Sequence, residues 1–153
     1  TKMEKNIRPV NVLLVEDNPG DVRLTQEAFK EAKISIKLDV TMDGAEAIKF
    51  LRKEGEYADA VTPDLILLDL NLPKIDGMDI LKKFYTDKVL KKIPIVVFTS
   101  SNDYDKIITC YEYGANACIK KPDDISEFSK TIRATTNFWL EVNVLPSFNA
   151  VTL

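Results

Sequence analysis

Two kinds of apolar spacing alternate along this chain. Residues 10–15, 65–68 and 93–99 are dense aliphatic runs, the pattern of strands buried on both faces. Residues 34–41 alternate instead, with Ile34, Ile36, Leu38 and Val40 spaced by polar positions, which predicts a half-exposed strand at or near an edge. Residues 115–119 predict a short fifth strand. Between these runs the spacing turns helical. Val22, Leu24, Ala28, Phe29 and Ala32 share one side of a helix over 21–32. A second helix opens at Asp43 or Gly44, uses Ala47, Ile48 and Leu51, and fades at Gly55. A third starts at Gly77 and runs through Leu81 and Phe84, with Lys82 and Lys83 toward solvent. A fourth, over 103–113, buries Ile107, Cys110 and Tyr111 and stops at Gly114. Asp124 and Glu127 predict a capping box for a last helix that buries Ile125, Phe128 and Ile132. From Phe138 onward the chain is apolar but irregular, broken by Pro146.

Five strands alternating with five helices predict an α/β domain, a doubly wound parallel sheet covered on both faces with right-handed crossovers. The half-polar second strand suits an edge. No repeat or low-complexity tract interrupts the pattern. The expected division is one domain over 8–137, followed by an apolar C-terminal extension over 138–153.

Composition narrows the function. The chain has 153 residues, 45% hydrophobic and 29% charged, enough for one domain with a real core. A net charge of −3 offers no footprint for nucleic acid or an anionic membrane. No stretch is long and apolar enough to span a bilayer, and residues 1–8 lack the apolar core of a secretory signal, so a cytoplasmic location is expected. Cys110 and Cys118 have no metal-ligand spacing and make no disulfide framework. There is no histidine, which removes Ser-His and Cys-His nucleophile pairs and histidine-ligated zinc.

The strand ends carry the chemistry. The run at 65–68 finishes in Asp69, followed by a turn with Pro73 and Asp76-Gly77. The first run finishes in Glu16-Asp17, the fourth in Thr99-Ser100-Ser101, and the fifth in Lys120-Lys121-Pro122. In a parallel sheet all these carboxyl ends lie on one side, where ligands bind in open α/β sheets. Each group has an ordinary reading: a strand terminator, a helix-start acid, a loop lysine. Together they would need several independent accidents at one edge. Two like charges roughly 4 Å apart cost about 4 kcal/mol at an effective dielectric of about 20. Three converging carboxylates therefore call for a hard, oxygen-seeking dication such as Mg2+, helped by one of the two lysines. Asp69 is a feasible covalent nucleophile toward phosphorus.

Glu16-Asp17, Asp69 followed by Leu-Asn-Leu-Pro, Asp76-Gly77, Thr99-Ser100 and Lys121-Pro122, in this order, resemble a response-regulator receiver domain over about 10–137. The resemblance implies a flavodoxin-like sheet of order 2-1-3-4-5 and phosphorylation of Asp69 by a sensor histidine kinase of a two-component system. It implies Mg2+ held by Asp17, Asp69 and the Asn71 carbonyl, with Glu16 assisting through water, and a phosphoryl group met by Thr99 and Lys121. It favours Lys121 over Lys120, since the family lysine directly precedes proline, and it implies a cis Lys121–Pro122 bond. The start over 15–21, the turn after Asp69 and the Phe138-Trp139-Leu140 tail are similar to small regulators paired with bacterial phytochrome kinases. One departure stands out: Cys118 occupies the position where the family often carries an aromatic switch residue.

The function expected is a phosphorylation-controlled binding module that catalyses only its own Mg2+-dependent phosphorylation and dephosphorylation. An alternative is an aspartyl-phosphate phosphatase of the haloacid-dehalogenase type. Such enzymes place a general-acid Asp two residues after the nucleophile, where this chain has Asn71, and put the nucleophile on the first strand. A flavodoxin-like electron carrier is disfavoured by the acids after the first strand, which would repel a flavin phosphate. Finally, Phe138, Trp139, Leu140, Val142, Val144, Leu145, Phe148, Val151 and Leu153 crowd the tail. They predict a homodimer built on the last helix, the fifth strand and the tail, with Trp139 as anchor. The opposing expectation is a tail folded back over its own domain.

Overall fold

The structure is a computed structural model that describes residues 8–146. Its centre is a five-stranded parallel sheet of β1 (Val10–Val15), β2 (Ile36–Thr41), β3 (Leu65–Asp69), β4 (Ile95–Thr99) and β5 (Ala117–Lys120). The strand order is β2-β1-β3-β4-β5, as expected. Every residue of β3 and β4 is buried, whereas β2 buries only Thr41, which fits its place at the edge. The register sets Val15 beside Leu68 and Asp69 beside Phe98, so the ends of β1, β3 and β4 lie nearly level.

Because successive side chains in a strand point to opposite faces, the aliphatic runs feed two cores. Leu13, Val15, Ile66, Leu68 and Val97 face one side and pack with Phe50, Leu81, Phe84 and Cys110. These come from α2 (Gly44–Arg52), α3 (Gly77–Thr86) and α4 (Tyr104–Glu112). Val12, Leu14, Leu65, Leu67, Val96 and Phe98 face the other side and pack with Ala28, Phe29, Phe128 and Ile132. These belong to α1 (Pro19–Lys30) and α5 (Ile125–Thr136). Asn18, Asp43, Asp76, Asp103 and Asp124 each cap the helix that follows with a side-chain oxygen.

Several local expectations change. Helix α1 begins at Pro19, two residues earlier than the start expected at residue 21, because Pro19 suits the first turn once Asn18 caps it. Ile125 is 68% exposed rather than buried. Phe128 already meets Phe98 near the end of β4, so Ile125 stands one turn beyond the sheet. Only half of the capping box forms: Asp124 accepts from the Ser126 N–H, while Glu127 pairs with Lys130. Tyr111 lies outside the core, and its hydroxyl accepts the Cys118 N–H at 3.1 Å, closing a backbone donor of the edge strand β5.

The tail is regular up to Val142, contrary to the irregular chain expected. A π-helical segment, Asn137–Val142, continues α5. Leu140 is buried in the α1–α5 core, Trp139 and Leu145 pack partly against it, and Glu141 accepts the Lys33 N–H at 3.0 Å. Phe138, Val142 and Val144 remain exposed. Phe148, Val151 and Leu153 lie outside the described residues. Among the described residues no helix is long and apolar enough to cross a membrane.

Candidate functional site

The carboxyl ends of β1, β3, β4 and β5 meet above the sheet. Glu16 and Asp17 leave β1 directly, and Asp69 is the last residue of β3. One carboxylate oxygen from each of Glu16, Asp17 and Asp69 lies within 4.8 Å of the others. Glu16 and Asp69 are buried, at 3% and 4% exposure, and Asp17 is half-buried. An all-oxygen donor set of this charge fits a hard divalent cation that keeps some of its waters.

Lys121 closes the cluster from the end of β5. Its backbone N–H donates to the Thr99 carbonyl at 2.8 Å, tying it to β4. Its Nζ lies 2.6 Å from Oε1 of Glu16, 3.0 Å from Oδ2 of Asp21 and 3.3 Å from Oδ2 of Asp69. Lys120 points elsewhere, to Asn102, and is exposed. The geometry thus selects Lys121 from the two lysines. The Lys121–Pro122 bond is trans, contrary to the cis form expected, for the described residues contain no cis peptide. Trans is the intrinsically favoured isomer for X–Pro, by about 0.5–1 kcal/mol, and the lysine reaches all three acids in it.

Charge and burial compete here. Burial raises the Glu16 pKa first, the adjoining Asp69 raises it further, and Lys121 opposes both, leaving it at about 7 instead of 4.5. For Lys121, burial favours the neutral form, but the Glu16 hydrogen bond and the Asp69 charge outweigh it and move its pKa upward. The ammonium therefore stays charged.

The loop after Asp69 is built by close backbone approach. Asn71 N–H donates to Asp69 Oδ1 at 3.1 Å, and the Asn71 amide donates to Ser100 Oγ at 3.0 Å. Gly77 packs so tightly that a Cβ there would lie 2.4 Å from the Asp69 carbonyl oxygen and 2.5 Å from Leu70 Cα. Only glycine lets α3 start this close to the nucleophile candidate. Thr99 is buried at the end of β4, its Oγ1 accepting the Ser101 N–H at 3.0 Å, which leaves its own proton free to donate. An open cleft leads down to the acids, walled by Asp17, Asn18, Asn71, Ser100, Pro122 and Asp123. Thr99, 1% exposed, is not part of this wall.

One contributor escapes sequence reasoning. Asp21 reads as an ordinary first-turn acid of α1, yet its carboxylate reaches Lys121. The available signal was positional: α1 starts at the same sheet edge as the strand ends, so an acid in its first turn faces the same cleft.

The comparisons agree with this geometry. Residues 12–133 match the family described as response regulator receiver domain. The chain is 41% identical to response regulator Rcp1 of Synechocystis sp. over 139 residues, covering 91% of this chain and 95% of that protein. The crystal structure of the Mn(2+)-bound form of Rcp1 superposes with a TM-score of 0.88 at 41% identity, over 91% of this chain and all of that one. That of the phosphorylated cyanobacterial phytochrome response regulator RcpA gives 0.88 at 42% identity, over 92% and 100% of the two chains. The phosphatase alternative finds no support: the matches are to response regulators. With residues 12–133 matched and the strand-end acids assembled at one edge, the chain belongs to the response-regulator receiver domain family.

Proposed function

We propose that this receiver takes its phosphoryl group on Asp69 and that Lys121, Thr99 and the neighbouring acids serve that transfer. The observation that carries the reading is the Lys121 ammonium 3.3 Å from Asp69 Oδ2, inside a cluster of three converging carboxylates. An Asp69 oxygen bonds to phosphorus while the phosphorus–nitrogen bond of a kinase phosphohistidine breaks. The nitrogen keeps the electron pair. Lys121 and the Thr99 hydroxyl donate to the equatorial oxygens of the transferring group, where charge accumulates. Glu16, Asp17, Asp69 and the Asn71 carbonyl would hold Mg2+, which supplies charge neutralisation between the acids and the phosphoryl oxygens. Hydrolysis of the acyl phosphate by water returns the carboxylate and inorganic phosphate. The chain catalyses these two steps on itself.

The donor we propose is a sensor histidine kinase of the phytochrome type, on the strength of the likeness to RcpA. Phosphorylation then changes a protein-binding surface of the receiver unit over 8–137, in the cytoplasm, with no nucleic-acid or membrane partner. A phosphorylated kinase of this class should transfer label to the parent chain in Mg2+ and not to Asp69→Asn. Transfer to both would reject Asp69 as acceptor.

A homodimer through α5 and the 138–153 extension is part of this reading, supported by the exposed Phe138, Val142 and Val144 on and beyond the π-helical segment. Trp139 is half-buried against its own core and is the lesser anchor. Truncation after Asn137 would also remove Leu140 from that core, so Phe138→Glu with Val142→Glu is the cleaner test. Light scattering should show the variant at half the parent mass. A parent that is monomeric at tens of micromolar, with and without phosphorylation, would exclude the dimer.

A further inference from the structure

Lys121 has three N–H groups, and in this structure each has a carboxylate within reach: Glu16, Asp21 and Asp69. Two of these belong to the acid cluster already described. Asp21 does not; it lies outside the set of carboxylates that converge for a cation. Its approach is fixed by its backbone. The Asp21 N–H is held by Asn18 Oδ1 at 3.1 Å, and its carbonyl accepts the Thr25 hydroxyl at 2.9 Å. Since Asn18 already caps α1, the carboxylate is not needed as the cap. Lys121 is fixed too, by its N–H on Thr99. Two anchored backbones therefore hold a 3.0 Å contact at the mouth of the cleft, with the lysine side chain 13% and the aspartate 23% exposed.

We infer that Asp21 is a positioning residue acting through Lys121: it competes with the phosphoryl group on Asp69 for the lysine ammonium and so restrains phosphoryl binding. This rests on the assignment of Asp69 as acceptor. A phosphoryl group adds a dianionic acceptor beside an ammonium that already donates to Glu16 and Asp21 and lies 3.3 Å from Asp69. One carboxylate must give up its share, and the most solvent-exposed of the three, Asp21, is the one water can repay. Until it does, its charge offsets the lysine and faces the incoming oxyanion. Substituting Asn keeps the shape and a weaker acceptor while removing the competing charge.

Trifluoroberyllate, a phosphoryl analogue, can be titrated in Mg2+ and followed by fluorine NMR. Asp21→Asn should bind it about threefold to tenfold more tightly than the parent, the range expected for one partly screened charge. A gain cannot come from damage to α1, which would weaken binding. In a Lys121→Ala background the same substitution should change affinity by less than about twofold, because the contact acts through the lysine. Unchanged or weaker binding by Asp21→Asn would overturn the inference, as would an undiminished gain without Lys121, which would mean direct repulsion. Asp69→Asn serves as the separate control. If it binds the analogue like the parent, the acceptor assignment fails; if it does not bind and Asp21→Asn shows no gain, only the present inference fails.

Discussion

Nζ of Lys121 lies 2.6 Å from Oε1 of Glu16, a carboxylate only 3% exposed at the foot of an acidic cleft. Even this contact does not return Glu16 to ordinary acidity, because burial and the adjoining Asp69 hold its pKa at about 7 against 4.5 for the free side chain. A carboxyl group raised in the folded state favours folding when protonated. Its contribution is complete below about 4.5 and is lost as pH rises through about 7. The upward shift of Lys121 acts only at far higher pH and leaves this window alone. In the presence of a chelator, the parent should lose more stability between pH 5 and pH 8 than Glu16→Gln. Urea midpoints at the two pH values measure this, and parallel losses would exclude Glu16 as the source.

Gly77 links the fold to the site. A methyl group there would press on the backbone of Asp69 and Leu70, which cannot rotate away as a side chain could. Gly77→Ala should cost about 1–3 kcal/mol or more in urea unfolding and should slow phosphorylation, since relief requires the Asp69 loop to move. Normal stability with normal phosphorylation would show that the loop has slack.

The tail divides into a buried and an exposed part. Leu140→Ala should cost about 2–5 kcal/mol, as for other leucines buried in a core, while Phe138→Ala should cost well under half as much in the monomer. Equal costs would place Phe138 in the fold as well.

Metal and phosphoryl roles should separate by residue. Asp17→Asn should weaken Mg2+ binding by about tenfold or more in calorimetric titration, having removed one charge from the cluster. Thr99→Ala should leave that affinity within about twofold and reduce the response to phosphorylation, as the proposed contact of its hydroxyl with the phosphoryl group requires. Equal Mg2+ affinity in Asp17→Asn and the parent would remove Asp17 from the ligand set.

How much of this was legible in advance follows from how locally each feature is encoded. Strands β1, β3 and β4 announce themselves because burial on both faces makes them almost wholly apolar, Asn11 apart, and at their ends stand the acids of β1 and β3 and Thr99 of β4. Asp69, Glu16, Asp17 and Lys121 were readable for the same reason: they follow aliphatic runs that a parallel sheet must align. Features depending on where an element sits across the fold were not readable. Ile125 has the helical phase of Phe128 but stands beyond the sheet, and Tyr111 trades burial for a hydrogen bond to the edge strand. The tail looked irregular because Leu140 and Trp139 pack in a π-helical phase that 3.6-residue spacing does not reveal. Asp21 was hidden by its commonplace position in a first turn.

Everything at this site turns on one carboxylate. Intact-mass spectrometry of the protein after incubation with Mg2+ and a small acyl-phosphate donor tests it most directly. The parent should gain a single phosphoryl group, lost again on standing, and Asp69→Asn, with its fold intact by circular dichroism, should gain none. Undiminished phosphorylation of that variant would contradict the assignment of Asp69.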